Sequence, residues 1–195
     1  MQVYPKLVLA SSSPFRKEVL QKVFPSFLTA SPNIDESAKA GETPIALSKR
    51  LAYEKACALS KQFPQHLIIG SDQVAMLNDQ QLTKPGSHEN CIKQLSLSSG
   101  NIIKFYTSLC VLDSASQAFE VTTDTCSVHM KKLSTQEIEY YVSKDKPYGC
   151  AAAFKSEGLG IALFDKIVGE DPNALVGLPL IKLIQVLDNF GIKAL

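Results

Sequence analysis

Much is settled by what these 195 residues lack. No apolar run is long enough to span a bilayer, so no membrane segment is expected. The start of the sequence has neither the apolar h-region nor the cleavage pattern of a signal peptide. Neither sign of charge dominates, since 20 lysines and arginines face 19 aspartates and glutamates, a formal net charge of +1. That balance argues against a general binder of nucleic acid or membrane surfaces, so any anion site must be local. The five cysteines (57, 91, 110, 126 and 150) are odd in number, widely spaced and without a CxxC pair. They fit reduced thiols in a cytoplasmic protein better than a disulfide frame or a zinc site. The three histidines, His66, His88 and His129, are too scattered for a histidine-based metal cluster. Three chemical signatures are also missing. There is no GxxxxGKS/T phosphate loop, no GxGxxG after a strand, and no GxSxG elbow with a credible histidine partner.

What is present describes an α/β protein. At 45% hydrophobic the chain can bury one sizeable core, and a single domain over residues 1–195 is expected. Lys6 to Ala10 is a short apolar run with the look of a doubly buried strand. Ser13 as N-cap and Pro14 at the first helical position then open a helix, with Val19, Leu20 and Val23 as its apolar stripe. Thr43-Pro44 opens a long helix to about Lys61 by the same logic. "HLIIGSDQVAML" is a second buried strand, followed by a turn at Asn78-Asp79 and a return through "QLTKP". A helix from about Ser87 to Gly100 precedes two strands, "IIKFYTSLCVL" and "AFEVTTDTCSVHM", expected to pair antiparallel. Ser134 and Glu137 have capping-box spacing for a further helix. "GLGIALF" is expected as a strand, and a helix from Pro179 to Asn189 closes at Gly191. Helices alternating with strands, with hairpins in the middle, imply a mixed sheet flanked by helices.

Several polar residues sit where a purely structural account is strained. The helix start after "KLVLASSSP" offers free N–H groups, hydroxyls and the cations Arg16 and Lys17, a plausible seat for phosphate. Lys55 falls among Leu47, Leu51, Ala58 and Leu59 on one helix face, where it must snorkel, pair or face a cleft. Asp72 follows "LIIGS" at the carboxyl end of a strand, where open α/β sheets gather ligands. On the residues alone, plainer accounts stay open. Arg16 and Lys17 fit solvated charges, Asp72 a turn cap, and Glu36, Lys84 and Glu157 loop charges. Taken together, carboxylates and cations near element ends suit phosphoryl transfer, which needs a divalent metal, cationic clamps and a positioner of water.

"LVLASSSPFRKEVL", "IDES", "RLAYEKA", "IIGSDQV", "TKPGS", "FKSEGLG" and "DPNALVGLPL", in this order and spacing, resemble the Maf family of nucleoside triphosphate pyrophosphatases over nearly the whole chain. The resemblance implies an elongated, two-lobed, ITPase-like α/β fold around a central mixed sheet flanked by helices, with a cleft between the lobes. It implies a hydrolase that cleaves a nucleotide between its α- and β-phosphates with Mg²⁺ or Mn²⁺. By position, Asp72 becomes the proton acceptor, Lys55 and Lys84 catalytic cations, and Glu36 with Asp72 the metal ligands. Ser11, Phe15, Arg16, Gln73 and Glu157 become substrate-binding or specificity residues. Members acting on dTTP and UTP usually carry an arginine after the first-motif proline and a glutamine near "IQG". Phe15 and Glu157 stand there instead, a pattern similar to the branch described as 7-methyl-GTP pyrophosphatases, which clear modified nucleotides. The chemistry agrees. A cationic methylated ring stacks on an aromatic face, and guanine's paired donors suit a carboxylate. The resemblance implies a small-molecule partner in the cytoplasm, with no nucleic acid and no membrane. The sequence is compatible with a homodimer and does not require one. The alternatives are a dTTP/UTP or other modified-nucleotide pyrophosphatase, and a catalytically weak nucleotide-binding regulator.

Overall fold

The computed structural model describes residues 6–195; residues 1–5, part of the start that carries no signal-peptide pattern, lie outside the described residues. The strands are β1 (Lys6–Ala10), β2 (Leu28–Ala30), β3 (His66–Leu77), β4 (Gln80–Leu82), β5 (Ile102–Asp113), β6 (Phe119–Met130) and β7 (Phe164–Val168). The helices are α1 (Pro14–Gln21), α2 (Pro44–Ala58), α3 (His88–Ser98), α4 (Thr135–Asp145) and α5 (Leu180–Asn189). Strand order is β2-β1-β3-β5-β6-β7, with β4 paired to β3 off that path. β1 runs parallel to both β2 and β3, whereas β4 and β7 pair antiparallel with β3 and β6. The sheet is therefore mixed. None of the helices among the described residues is long and apolar enough to cross a membrane.

The chain divides into two compact units. The first holds residues up to Gln73, Thr107–Asp124 and Asp171–Leu195; the second holds Val74–Tyr106 and Thr125–Glu170. In the first, strand alternation sorts the core into two faces. Leu7 and Leu9 of β1 and Leu67 and Ile69 of β3 pack with Val19 and Leu20 of α1 and with Leu183 and Leu187 of α5. Val8, Ala10 and Ile68 face the other way, onto Ala52, Ala56 and Leu59 of α2 and its end. Helix caps set the starts. Ser13 Oγ accepts from Arg16 N, and Thr43 Oγ1 from Ala46 N. The buried stripe of α2 is Leu47, Ser48, Leu51, Ala52, Lys55 and Ala56. Ala58 is exposed rather than on that face, and the helix ends there because the chain turns at Leu59.

In the second unit the expected capping box is present. Ser134 Oγ accepts from Glu137 N, and the Glu137 carboxylate accepts from Ser134 N at 2.7 Å. One expectation needs correction. "GLGIALF" is not a strand along its length, since Leu159–Leu163 form a 3-10 turn and pairing with β6 begins at Phe164, opposite Met130. The cause is a close backbone approach. A Cβ on Gly160 would lie 2.3 Å from the Lys155 carbonyl oxygen, so the segment folds onto residue 155 instead of extending.

Candidate active site

The route of the chain creates the site before any side chain is considered. From β1 it crosses through α1 to β2 on one side, then returns through α2 to β3 on the other. The two crossings lie on opposite faces, so strand order reverses at the carboxyl ends of β1 and β3, where open α/β sheets bind ligands. Parallel pairing there ends at Ala10 and Gly70. Ser11 follows one strand end and Asp72 lies two residues past the other. β3 does not stop at that point, as a turn-capping aspartate would require; it continues to Leu77 and takes β4 as partner.

Gly70 brings α2 close. A Cβ on it would sit 2.1 Å from the Ala52 carbonyl oxygen and 2.9 Å from the Ala56 nitrogen, so strand and helix meet backbone to backbone. Asp72 shares the face of Gly70 by the two-residue period, and Lys55 lies between Ala52 and Ala56 on α2. The two side chains therefore meet. Lys55 Nζ donates to Asp72 Oδ1 at 2.6 Å, and both residues are buried, 5% and 6% exposed. The same ammonium lies 2.9 Å from Glu36 Oε1, on the loop after β2. Lys55 does not snorkel; it joins two carboxylates. Burial pushes the Asp72 carboxyl above its ordinary pKa, opposed by Lys55 and by the Arg16 charge. Half-buried Arg16 has its guanidinium lowered by lost hydration, opposed by Asp72 and then Glu36. Four charged groups thus share one field.

The hydroxyls and the backbone around them complete the wall. Ser11 Oγ accepts from Ser13 N at 3.1 Å, and Arg16 Nε donates to the Gly177 carbonyl at 2.8 Å. Ser71 Oγ donates to that same carbonyl at 2.8 Å. Gly177 (φ +109°) is needed there, since a Cβ would press on Arg16 Nε at 3.2 Å in a backbone conformation that side chains resist. Phe15 is half-buried in the first turn of α1. Gln73 is not brought to this group. As the neighbour of Asp72 it points to the other face, where its amide nitrogen donates to Thr107 Oγ1, Ala174 O and Leu175 O.

Lys84 and Glu157 belong to the second unit, and both are exposed. Both lie within electrostatic reach of the half-buried Cys150 thiol, which burial pushes up in pKa, with Lys155 and Lys84 opposing and Glu157 and Asp145 adding to the rise. Lys155 Nζ donates to the Asp145 carbonyl at 2.6 Å and its N–H to Tyr141 Oη at 3.0 Å, fixing the start of the segment that carries Glu157. Residues that sequence reasoning passed over are Ser71, Gly177, Cys150 and Lys155. Lys155 stood inside "FKSEGLG" and Gly177 inside "DPNALVGLPL", but nothing local marked their partners.

The donor set fits a hard divalent cation. Glu36 and Asp72 supply carboxylate oxygens, the ligands that Mg²⁺ and Mn²⁺ prefer. Among the described residues no three histidine, cysteine, aspartate or glutamate side chains group into a metal cage.

Comparison with known proteins concerns the chain as a whole. The profile of the family described as Maf-like protein matches residues 6–190. Proteins named 7-methyl-GTP pyrophosphatase from Pseudoalteromonas translucida and Colwellia psychrerythraea are 52% and 49% identical to this chain. They cover 98% and 97% of it, and 95% and 94% of their own lengths. A protein of the same name from Alcanivorax borkumensis is 50% identical over 97% of this chain and 96% of its own length. Among solved structures, a HAM1 protein from Coxiella burnetii aligns with a TM-score of 0.52 at 14% identity, covering 94% of this chain and 98% of that one. That likeness concerns the fold.

Proposed function

The chain belongs to the Maf family, and from that premise we propose that it is a nucleoside triphosphate pyrophosphatase acting on 7-methyl-GTP. Water and the triphosphate yield 7-methyl-GMP and pyrophosphate, with cleavage of the α–β anhydride bond. The observation that carries the reading is the buried Lys55 ammonium joining Asp72 and Glu36 beside Arg16. The near-full-length identity to proteins named for this activity supports the substrate.

Asp72 takes the proton of the attacking water at its carboxylate as the new oxygen–phosphorus bond forms. A carboxyl raised by burial is a stronger base than one in water, which moves it toward the operating pH. Lys55 keeps that carboxylate ionised and holds it in place through the 2.6 Å hydrogen bond. Arg16, fixed by Gly177, is a cation for substrate phosphates, and Lys84 is assigned a second clamp. Glu36 and Asp72 would hold a divalent cation, which when bound neutralises phosphate charge and orients the anhydride. Glu157 is assigned the guanine edge and Phe15 the methylated ring. A role in clearing modified nucleotides in the cytoplasm follows from that substrate.

Pyrophosphate release from 7-methyl-GTP, GTP, UTP, dTTP and oxidised nucleotides, each with Mg²⁺ and with Mn²⁺, tests the reading. The expected result is the highest kcat/KM for 7-methyl-GTP. Release from none of them would refute the activity, and a preference for UTP or dTTP would refute the substrate.

A further inference from the structure

We infer that Arg50 is a positioning residue for Glu36, fixing the loop between β2 and α2 so that the Glu36 carboxylate meets Lys55. The inference rests on the function proposed above and deepens it. Residues 31–43 contain neither strand nor helix and are mostly exposed, so the loop gains little from the apolar core. The Lys55 partner is buried but the Glu36 side chain is itself 53% exposed, and a carboxylate so open to water gains too little from one ion pair to order a segment by itself. Something else must hold it.

Arg50 has the geometry to do so. Its Nε and Nη2 donate to the two Glu42 oxygens at 2.7 and 2.8 Å, a bidentate pair at the end of the loop. Nη2 also donates to the Ser37 carbonyl at 2.9 Å, one residue past Glu36. Nη1 donates to Glu54 Oε2 at 2.9 Å, which fixes the fork on its own helix. On the loop, Glu42 Oε2 accepts from Lys39 N at 3.0 Å and Asp35 Oδ1 from Ser37 N at 2.9 Å, so both flanks of Glu36 are tied. Arg50 and Lys55 ride on one rigid helix. Anchor and target therefore keep a constant offset, and the loop is delivered to the ammonium instead of finding it by diffusion. Lysine carries the same charge but presents no planar fork and cannot grip Glu42 and Ser37 together.

The test compares Arg50→Lys and Glu42→Gln, each alone and combined with Glu36→Gln. Trypsin cleavage after the exposed Lys39, without nucleotide or metal, reads the loop directly. Arg50→Lys should be cut there about tenfold faster or more and lose about tenfold or more in kcat/KM on 7-methyl-GTP, as supporting residues of a site do. Added to Glu36→Gln it should cost nothing further, because both changes act through one carboxylate. Parental cleavage at Lys39 overturns the inference, and so does a kcat/KM loss that multiplies in full with that of Glu36→Gln. Glu42→Gln, which leaves α2 untouched, decides the matter by the same two readouts should Arg50→Lys fail to fold. A parent that releases no pyrophosphate overturns the activity, while the protease readout still decides whether Arg50 fixes the loop.

Discussion

Gly70→Ala tests whether the spacing of one strand and one helix sets the chemistry. The added Cβ would stand 2.1 Å from the Ala52 carbonyl oxygen and 2.9 Å from the Ala56 nitrogen. Both are backbone atoms, so no flexible side chain can swing away. Reaching ordinary contact at 3.4 Å requires roughly 1.3 Å of separation between β3 and α2. Overpacking of this kind costs about 1–3 kcal/mol. At about 2–4 °C per kcal/mol for a chain of this size, Tm should fall by roughly 2–12 °C. The catalytic loss should be larger in proportion. Lys55 and Asp72 are joined by a 2.6 Å bond across the widened gap, and a misplacement near 1 Å can cost on the order of 10²-fold in rate. A thermal melt and a pyrophosphate-release assay on the same preparation check both figures. Gly149→Ala is the control, because its Cβ meets nothing within 4 Å and its backbone is outside the left-handed region. A Gly70→Ala protein with parental Tm and parental kcat/KM would refute the reasoning.

Three further outcomes are expected. Asp72→Asn should lower turnover by roughly 10²–10⁴-fold while leaving Tm at neutral pH no lower than the parent's; near-parental turnover removes Asp72 as the base. The sign of its stability effect follows from a carboxyl raised above its unfolded value. In the parent this group's stabilisation is present at low pH and lost as pH rises through the folded pKa, so the advantage of the Asn variant in Tm should grow from acid to neutral pH. Lys55→Met keeps an apolar stem in the α2 stripe but removes the cation that lowers Asp72, so the acid limb of the kcat/KM profile should move to higher pH; an unmoved limb separates the two residues. Glu157→Gln should lower the ratio of kcat/KM for 7-methyl-GTP over UTP, since an amide leaves one guanine donor unmatched; a constant ratio removes Glu157 as the reader of the base.

The legible parts of this fold are those written in local chemistry. Ser13-Pro14, Thr43-Pro44 and the Ser134/Glu137 box mark helix starts that the structure reproduces, because a cap is a contact among residues three apart. Lys55 was legible as an anomaly for a similar reason, since one charge in an apolar stripe stands out by period alone. Its partners were not, because Glu36 and Asp72 are brought to it by sheet order and by the approach at Gly70, which no window of sequence contains. Gln73 shows the converse. Adjacent to Asp72 in sequence, it is carried to the opposite face by the strand period and satisfies the backbone of residues 174 and 175. "CAAAF" was illegible in another way. Alanine favours right-handed helix, yet Ala152 and Ala153 are both buried with φ near +59°, a conformation imposed by their surroundings.

Charge balance in the first unit limits how a triphosphate can bind there. Asp72 and Glu36 carry two negative charges when ionised, and Lys55 and Arg16 carry two positive ones. With all four ionised, those charges sum to zero. Its cations are already committed, Lys55 to both carboxylates and Arg16 to the Gly177 carbonyl and the field of Asp72 and Glu36. A polyphosphate brought beside Asp72 and Glu36 therefore finds no net attraction there, because the pull of the resident cations is offset by the carboxylates they already pair with. A divalent ion on the two carboxylates would make the group net positive and leave Lys55 and Arg16 to attract phosphate. Burial explains why Asp72 is raised in pKa despite a lysine 2.6 Å away. Burial and the nearby Glu36 together outweigh what Lys55 and Arg16 return, which leaves the carboxylate more basic than one in water, as the proposed role of proton acceptor requires.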